Sequence, residues 1–590
     1  MFVELKDQVQ ILLQKAAASV GYNLSRDDIL FEVSEHADLS TRLAFQLMSA
    51  RPESEKEPKE AGKEKENPAK LAAKIVAAIT PEDLSQCRLV QKITTTGPYI
   101  NIFASDFYLS KTVENTVMLK EKYGTGKNSG KILLEHTSAN PNGPLHVGHI
   151  RNSTIGDTLS RILKKSGYDV EVQYYVNDIG RQIAVVSWAC SRYKLDTSKK
   201  SDSAIADVYI QANADLSKDE SINKHIEDLM KKVESGDKET IDSFTTAVDL
   251  AVSGIQETLT LLNVKHDKFI RESKFIENGD VWRIIDDLKK TGKTKDENGA
   301  LVVDLSDYGF EKTLVIQRSN KTSLYTTRDL AYHEWKGPQC DRMIDVFGAD
   351  HKLISGQLRA ALDLLGQKIP EVVIFEFVSL PEGSMSTRRG VFISADELLE
   401  EMMDKAYEEI QKRRPEESEE FKRNVARMVG VGATRYDIIK VSPEKSTVFD
   451  WKTALDFEKQ GAPFIQYSHA RASNILNKAK EEGLIRSEND LCDGSVDFDL
   501  LIEPHEIAFI KRIARFEHVI MECARELKPH PIAIYARELA DDFNQFYRYV
   551  PVLNVDDWEL RKSRLALVYA GKIAISNVLF VLGIDAPDSM

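Results

Sequence analysis

The spacing of apolar residues between positions 131 and 178 predicts a strand, a helix and a second strand. KILLE, 131–135, is a short apolar run, and DVEVQYYVND, 169–178, is rich in strand-forming residues. Between them, apolar residues fall on one helical face and a glycine follows: Ile155, Leu159, Ile162, Leu163 and Gly167. A strand, helix and strand in this order form a parallel, right-handed unit, so we predict an α/β sheet.

The pattern differs on both sides of this unit. Near the amino terminus, Val9, Leu12, Leu13 and Ala16 form a helical face, and YINIFAS, 99–105, is strand-like. From about 196 to 257 the chain is charged and helical. Four segments then return to strand patterns: 300–306, 314–319, 342–350 and 371–380. From 395 to 590 almost every segment has the period of an amphipathic helix.

These patterns predict three domains. Residues 1–125 form an α+β domain, 126–455 a Rossmann-like parallel-sheet domain with a helical insertion at about 196–257, and 456–590 an all-α domain. The run 51–70 is charged, holds almost no apolar residue, and is interpreted as a solvated insertion or linker.

Composition narrows the class of protein. The chain has 590 residues, 42% of them hydrophobic, and a formal net charge of −14. This balance disfavours a non-specific nucleic-acid binder but allows a local basic face. The five cysteines are far apart, which argues against a disulfide framework or a Cys-rich zinc site and favours a reducing compartment. The first helix carries charge within its apolar pattern, unlike a signal peptide, and no membrane span is expected.

The chemistry is concentrated where the first strand of the sheet becomes a helix. His146, Gly148 and His149 lie at this junction. Helix amino termini attract phosphate, glycine allows close approach of a ligand, and imidazoles can donate to oxygens that gain charge in a transition state. We therefore expect nucleotidyl transfer by in-line attack. Alone, H-x-G-H is a weak motif, because helix-start histidines are often caps or surface residues. A nearby segment, GTGKNSGK at 124–131, looks like a phosphate-binding loop but does not have the required spacing, so we do not interpret it as one.

A second polar loop, SMSTRRG at 384–390, follows a strand and precedes a helix. Its Arg388 and Arg389 could close over triphosphate charge, although a loop of this kind is also an ordinary solvated segment.

H-V-G-H followed about 240 residues later by a Met-Ser loop resembles the signature pair of class I aminoacyl-tRNA synthetases. The wider context resembles arginyl-tRNA synthetases, through EHTSANPNGPLHVGHIRNSTIGDTL, YYVNDIGRQ, LYTTRDLAYH, FGADH, SMSTRRG, FDWKTALDFE and APFIQYSHARASNIL. The common second signature is K-M-S-K-S, and here Ser384 and Thr387 stand at its two lysine positions.

The resemblance implies ATP-dependent attachment of L-arginine to tRNA through an arginyl-adenylate. It makes His146 and His149 expected catalytic residues. Arg388 and Arg389 are added as our substitutes for the two missing lysines. The expected ATP-binding set is His146, Gly148, His149, Gly348, Asp350, His351, Met385 and Ser386. Mg²⁺ is expected as the counter-ion of ATP, with no tightly bound metal or organic cofactor.

The amino-acid pocket must recognise a planar cation, which favours carboxylates and an aromatic wall. By resemblance, Glu135, Tyr325 and Asp329 hold the guanidinium, while Asn140 and His146 hold the amino and carboxylate end. Tyr325 and Asp329 share a face if a helix has begun there. Further candidates for the same pocket are Asn177, Asp178, Gln182 and Gln357.

The resemblance also implies an anticodon-binding role for the last domain and tRNA binding by the first. Candidate base contacts are Tyr467, His469, Arg471, Phe546, Tyr547 and Arg548, although aromatic residues at helical spacing are usually core. The expected partners are tRNA, L-arginine and ATP, in a cytoplasmic monomer without a membrane.

Two rival interpretations remain open from sequence. The first is a non-catalytic RNA-binding protein that kept the fold, supported only by the missing loop lysines. The second is a class I synthetase for another amino acid, which the carboxylates Glu135 and Asp329 disfavour.

Overall fold

The computed structural model describes residues 1–32, 37–49, 67–381, 393–458 and 461–590. Its first unit is a three-stranded antiparallel sheet, in the order β1-β3-β2, packed against helices. Its strands are β1 Leu39–Thr41, β2 Val90–Thr96 and β3 Tyr99–Ala104. Its helices are α1 Phe2–Ser19, α2 Leu43–Ser49, α3 Pro68–Ala77, α4 Pro81–Gln86 and α5 Asp106–Leu119. The predicted apolar face of α1 is buried.

A five-stranded parallel sheet forms the centre of the molecule, in the order β11-β10-β4-β5-β6. Its strands are β4 Lys131–Glu135, β5 Asp169–Val176, β6 Lys268–Arg271, β10 Arg342–Gly348 and β11 Glu371–Phe375. The strand order reverses between β4 and β10. Ligands of open parallel sheets bind at the carboxyl ends of the strands beside such a reversal. The segment with the two histidines follows β4 and therefore lies there.

The helices between β4 and β11 in the chain pack on this sheet and on one another. They are α6 Val147–Lys165, α7 Arg181–Arg192, α8 Ser201–Leu216, α9 Glu220–Glu234, α10 Lys238–Leu261, α11 Ser273–Glu277, α12 Asp280–Lys290, α13 Tyr325–Lys336 and α14 Lys352–Leu364. The predicted apolar face of α6 is buried, and Gly167 follows the helix with a φ of +109°. Helices α8 to α10 occupy the predicted insertion.

Two of the predicted later strand segments lie outside the parallel sheet. β8 Ala300–Val303 and β9 Leu314–Gln317 join β7 Thr294–Glu297 in a separate antiparallel sheet. Beyond β11, β12 Val378–Ser379 pairs in parallel with β13 Thr447–Val448.

The rest of the chain is helical, as predicted apart from β13. The helices are α15 Ala395–Arg413, α16 Glu419–Ile439, α17 Trp451–Ala454, α18 Ala462–Glu481, α19 Pro504–Ala514, α20 Phe516–Glu526, α21 His530–Tyr549 and α22 Trp558–Leu582. By length and composition α22 could cross a membrane, but 78% of its most apolar window is buried inside the protein. It is a core helix, packed against α18 and α21.

Candidate active site

The two signature histidines build the amino terminus of α6. His146 is the N-cap, and its Nδ1 accepts a hydrogen bond of 3.0 Å from the Gly148 backbone N–H. The backbone N–H of His146 donates in turn to Nδ1 of His149 at 3.2 Å, and the two rings stack with centroids 3.7 Å apart. Since both Nδ1 atoms accept, each neutral ring carries its proton on Nε2.

Both imidazoles are neutral near pH 7. Burial lowers the pKa of His146, and burial together with the neighbouring His146 lowers the pKa of His149 to about 3. The pair can therefore donate N–H groups at a helix amino terminus without carrying a charge.

The structure shows a further reason for glycine at position 148. A Cβ on this residue would lie 2.9 Å from Cε1 of His146. Gly148 therefore permits the stacked histidine cap, and its predicted contact with ATP stays a prediction.

The backbone after β4 is strained. Thr137 and Ser138 have φ values of +70° and +39°, a region that residues with a Cβ rarely adopt. Asn152 on α6 holds the turn, since its Oδ1 accepts from the Thr137 N–H at 3.0 Å and its Nδ2 donates to the Val346 carbonyl at 3.3 Å. Asn152 therefore ties α6 to both strands of the reversal, a role that sequence reasoning missed.

Met385, Ser386, Arg388 and Arg389 lie outside the described residues, so their predicted roles stay predictions. The chain re-enters the described part beside the histidines. Ser394 forms a β-bridge with His146, and the Ala395 N–H donates to the Leu145 carbonyl at 2.6 Å. On the other flank, buried Arg151 of α6 donates to the Phe377 carbonyl at 3.2 Å, next to β12. Both flanks of the second signature are thus anchored to α6.

The other predicted ATP residues lie at the same sheet edge. Gly348 ends β10, and a Cβ there would meet Asp350 Oδ1 at 2.5 Å. The exposed side chains of Asp350 and His351 lie 3.3 Å apart.

Glu135, Tyr325 and Asp329 lie near one another at this edge, since the charge of Asp329 contributes to raising the pKa of both other groups. Glu135 is the last residue of β4, while Tyr325 opens α13 and Asp329 lies one turn later, so the shared helical face is confirmed. Glu135 is buried, the Asp329 side chain is 20% exposed, and Tyr325 is 46% exposed. Burial and the charge of Asp329 raise the pKa of Tyr325, as expected for a phenol near that carboxylate. Exposure therefore increases from Glu135 through Asp329 to Tyr325.

A layer of aromatic rings borders the carboxylates. Tyr175 of β5 and Tyr332 of α13 stack with ring centroids 4.3 Å apart and planes within 6°. The Tyr332 hydroxyl donates to Gln173 at 2.7 Å.

The remaining pocket candidates separate into two groups. Nδ2 of Asn177 lies 3.1 Å from Oδ1 of Asn140, and Gln182 is exposed in the first turn of α7. The side chains of Asp178 and Gln357 instead form hydrogen bonds with other parts of the protein. Asp178 accepts from the Ser273 N–H at 2.8 Å and hydroxyl at 2.6 Å, and Gln357 donates to the Lys312 carbonyl at 2.8 Å. Asp178 therefore fixes the start of α11.

A buried charged cluster behind Glu135 and Asp329 was not predicted. Asp345 pairs with Glu135 in the register of β10 and β4, and His333 and Lys336 of α13 contact it. The available sequence signal was the spacing Asp329, His333, Lys336 along one helical face, together with an aspartate inside the apolar strand RMIDVFG.

A mainly basic groove of about 1280 Å³ lies between α15 and two helices of the C-terminal domain, α18 and α21, and its lining also includes Glu458 and Asp541. The Arg471 guanidinium lies between two rings, 4.7 Å from the centroid of Tyr467 and 4.8 Å from that of Tyr547. The basic residues that line the groove are Arg413, Arg414, Arg471, Lys478, Arg537 and Arg548. Stacked arginine and tyrosine on a cationic groove suit unpaired bases and phosphate.

Two predicted base contacts are corrected. Phe546 is fully buried, with its ring centroid 5.8 Å from that of Phe509, so a base cannot reach it. His469 is buried too, with Nδ1 2.9 Å from the Pro587 carbonyl. Both are core residues, because they lie on the inner faces of α21 and α18.

Family models match three consecutive parts of the chain. Residues 4–104 match the arginyl-tRNA synthetase N-terminal domain, and 112–451 match the catalytic domain of class I (R) tRNA synthetases. Residues 465–590 match the DALR anticodon-binding domain. The chain belongs to the arginyl-tRNA synthetase family. The predicted fold class, enzyme class and activity, the charging of tRNA with arginine, are confirmed.

Individual relatives agree over the full length. Arginine–tRNA ligases of Methanosarcina barkeri and Methanosarcina mazei are 61% and 60% identical, each alignment covering 100% of both chains. The solved arginyl-tRNA synthetase of Thermus thermophilus is 26% identical, with a TM-score of 0.81 over 99% of this chain and 100% of that one. The class I synthetase family uses ATP, and arginyl-tRNA synthetases are soluble enzymes of translation.

Proposed function

We propose that arginine enters the opening bordered by Tyr325 and places its guanidinium against Asp329 and Glu135. The observation that carries this assignment is the convergence of two carboxylates at the end of β4, on the same sheet edge as the histidine cap. A guanidinium offers a planar fork of donors to such carboxylates. Asn140, with Asn177 beside it, then lies on the side of the cleft assigned to the amino and carboxylate end.

In the first step, an arginine carboxylate oxygen attacks the α-phosphorus of ATP, and the bond to the bridging oxygen of pyrophosphate breaks. The products are arginyl-adenylate and pyrophosphate. His146 and His149 donate Nε2–H groups to oxygens that gain charge in this step. Neutral donors held by the helix cap need no rearrangement as the transition state forms. Gly348, Asp350 and His351 border the nucleotide, and Met385, Ser386, Arg388 and Arg389 are assigned to its triphosphate.

In the second step, a ribose hydroxyl of the terminal adenosine of tRNA attacks the arginyl carbonyl, and AMP leaves. The anticodon lies in the C-terminal groove, where Tyr467, Tyr547 and Arg471 stack on bases and Arg548 meets phosphate. The N-terminal domain, 1–125, supplies a further tRNA contact.

Mg²⁺ is assigned to the ATP phosphates, without a resident site in the protein. Within the described ranges, Glu135, His333 and Asp345 form a group with ligand atoms close enough for a metal ion. The ammonium of Lys336 lies 3.1 Å from Glu135 and 2.8 Å from Asp345. A cation therefore already fills this group, and a metal does not fit.

We assign the enzyme to the cytoplasm as a monomer without a membrane partner. All five cysteines, each within the described residues, are free thiols, which agrees with a reducing compartment.

The direct test is tRNA charging with each of the twenty amino acids, paired with pyrophosphate exchange. Charging with arginine alone is expected. Binding of tRNA without charging would instead support a non-catalytic protein, and charging with another amino acid would refute the pocket assignment.

A further inference from the structure

A cluster of five charged side chains lies behind and beside the proposed guanidinium site. Glu135 and Asp345 are neighbours on adjacent parallel strands. The Lys336 Nζ lies between them, 3.1 Å from Glu135 Oε2 and 2.8 Å from Asp345 Oδ1. Lys336 and Asp345 are at most 1% exposed. Two like charges in the core would repel strongly, and the ammonium offsets this repulsion.

Burial raises the pKa of Glu135, whereas the Lys336 ammonium opposes this shift and, with a second hydrogen-bond donor, favours the ionised carboxylate. Its Oε2 faces the ammonium, and its Oε1 accepts from the Ser138 hydroxyl at 3.0 Å. That hydroxyl itself accepts from the Tyr175 backbone N–H at 3.0 Å, so its proton is available for Glu135. Both oxygens of Glu135 thus face donors.

His333 connects the buried set to the pocket. Its Nε2 lies 2.8 Å from Asp345 Oδ2, and its Nδ1 lies 3.1 Å from Asp329 Oδ1 and 2.8 Å from the Asp329 carbonyl. Since both ring nitrogens face only acceptors here, the ring is an imidazolium. Burial and Lys336 would lower its pKa, but Asp345 and Asp329 outweigh them and raise the pKa of His333 to about 10.

We propose that His333 and Lys336 are positioning residues that neutralise two of the three carboxylates Glu135, Asp345 and Asp329, leaving one net negative charge matched to one guanidinium. This inference rests on the proposed arginine site. Within these five groups, three anions stand against two cations. The neighbouring Glu272, which also interacts with Asp329, has its own partner in Arg328 at 3.0 Å and is counted with that pair. Of these groups Asp329 is the most exposed, with its side chain 20% accessible, so the uncompensated charge faces the opening. A neutral or anionic side chain would leave that charge unpaired, which makes the set a specificity device.

The test restores the charge balance in a double variant. Asp345→Asn alone leaves the cluster with a net charge of zero. The Lys336 ammonium then pairs with Glu135 without sharing Asp345, and it competes with the substrate guanidinium for that carboxylate. The KM for arginine in charging should rise by at least about tenfold, while the KM for ATP stays unchanged. Asp345→Asn combined with Lys336→Met returns the cluster to one net negative charge. The KM for arginine should then fall back by at least about half of the increase, measured on a logarithmic scale.

Lys289→Met is the matched control, since this exposed lysine pairs with Asp286 on α12. It should leave both KM values unchanged. If the double variant does not fold, Lys336→Gln replaces Lys336→Met in the same comparison, with circular dichroism checking the fold.

A double variant with an arginine KM at or above that of Asp345→Asn would overturn the charge-matching proposal and leave a packing role. Failure of the unmodified enzyme to charge arginine would instead refute the proposed function itself. The two failures are therefore distinguishable.

Discussion

The Arg435 guanidinium lies 2.6 Å from the Asp157 carboxylate, and both side chains are buried. Asp157 is on α6, the helix capped by the signature histidines, and Arg435 is on α16. Arg435 also donates at 2.8 Å to the Leu582 carbonyl at the end of α22 and to the Leu262 carbonyl after α10. One side chain thus joins the active-site helix, the insertion and the C-terminal helices.

Replacing Arg435 should destabilise the enzyme strongly. Arg435→Met leaves the Asp157 carboxylate buried with only Arg161 as partner, so the free energy of unfolding should fall by about 3–5 kcal/mol. Urea denaturation measures it. Arg283→Met is the control, because Arg283 pairs with Glu334 at the surface and should cost at most about 1 kcal/mol. Equal effects of the two variants would contradict a central role for the buried pair.

The histidine cap should act on the transition state more than on ATP binding. His149→Ala should lower kcat for charging by at least about tenfold, or about 1.4 kcal/mol, because an Nε2–H donor is lost at the developing charge. Steady-state kinetics with varied ATP measure this. The exposed His225, changed to Ala, is the control and should be silent. An unchanged kcat with only a raised KM for ATP would refute the assignment.

The groove residues should affect tRNA recognition selectively. Arg471→Met removes the cation held between Tyr467 and Tyr547, so the KM for tRNA should rise by about tenfold and become less sensitive to salt. Charging at varied tRNA and salt measures both effects, and the KM for arginine should not change. An effect on arginine alone would place the anticodon elsewhere.

Acid should destabilise the enzyme partly through His266. Burial lowers the pKa of this imidazole to about 4. Its ring contacts that of His136 in a tilted arrangement, with ring centroids 4.3 Å apart. Between pH 4 and about 6.5 the unfolded state binds the proton and the folded state does not. The contribution to stability is therefore complete above pH 6.5 and is lost as the pH falls toward 4, by at most about 1.4 kcal/mol per pH unit.

His266→Phe keeps an aromatic ring and removes the titration. The urea midpoint of this variant should fall less between pH 7.5 and 5 than that of the unmodified enzyme. His225→Gln should keep the unmodified slope. Parallel pH profiles for all three proteins would show that His266 contributes nothing to acid sensitivity.

Much of the fold was predictable because local apolar spacing determines it. The segments β4, α6 and β5 appeared in the sequence as a short apolar run, a period-3.6 pattern and a stretch rich in strand-forming residues, and the histidine cap followed from their order. Tyr325 and Asp329 were predictable as a helical pair for the same reason.

The remaining features depend on contacts between distant segments. Asp345 meets Glu135 only through the register of two strands that are about 200 residues apart, which periodicity does not encode. Phe546 and Tyr547 are neighbours in sequence, yet the packing of α21 buries one and exposes the other. The structural reason for Gly148 depends on the position of the His146 ring. The apolar pattern identified β8 and β9 as strands but did not show that they belong to a separate antiparallel sheet.

In the proposed arginine site, the Asp329 and Glu135 carboxylates recognise the guanidinium of the substrate. The most direct measurement is kcat/KM for arginine relative to its neutral isostere citrulline, for the unmodified enzyme and for Asp329→Asn. Removing one charge of a buried, hydrogen-bonded pair should lower kcat/KM for arginine by about 100-fold and leave the KM for ATP unchanged, so that the preference over citrulline narrows. Unchanged arginine kinetics in both Asp329→Asn and Glu135→Gln would contradict the account.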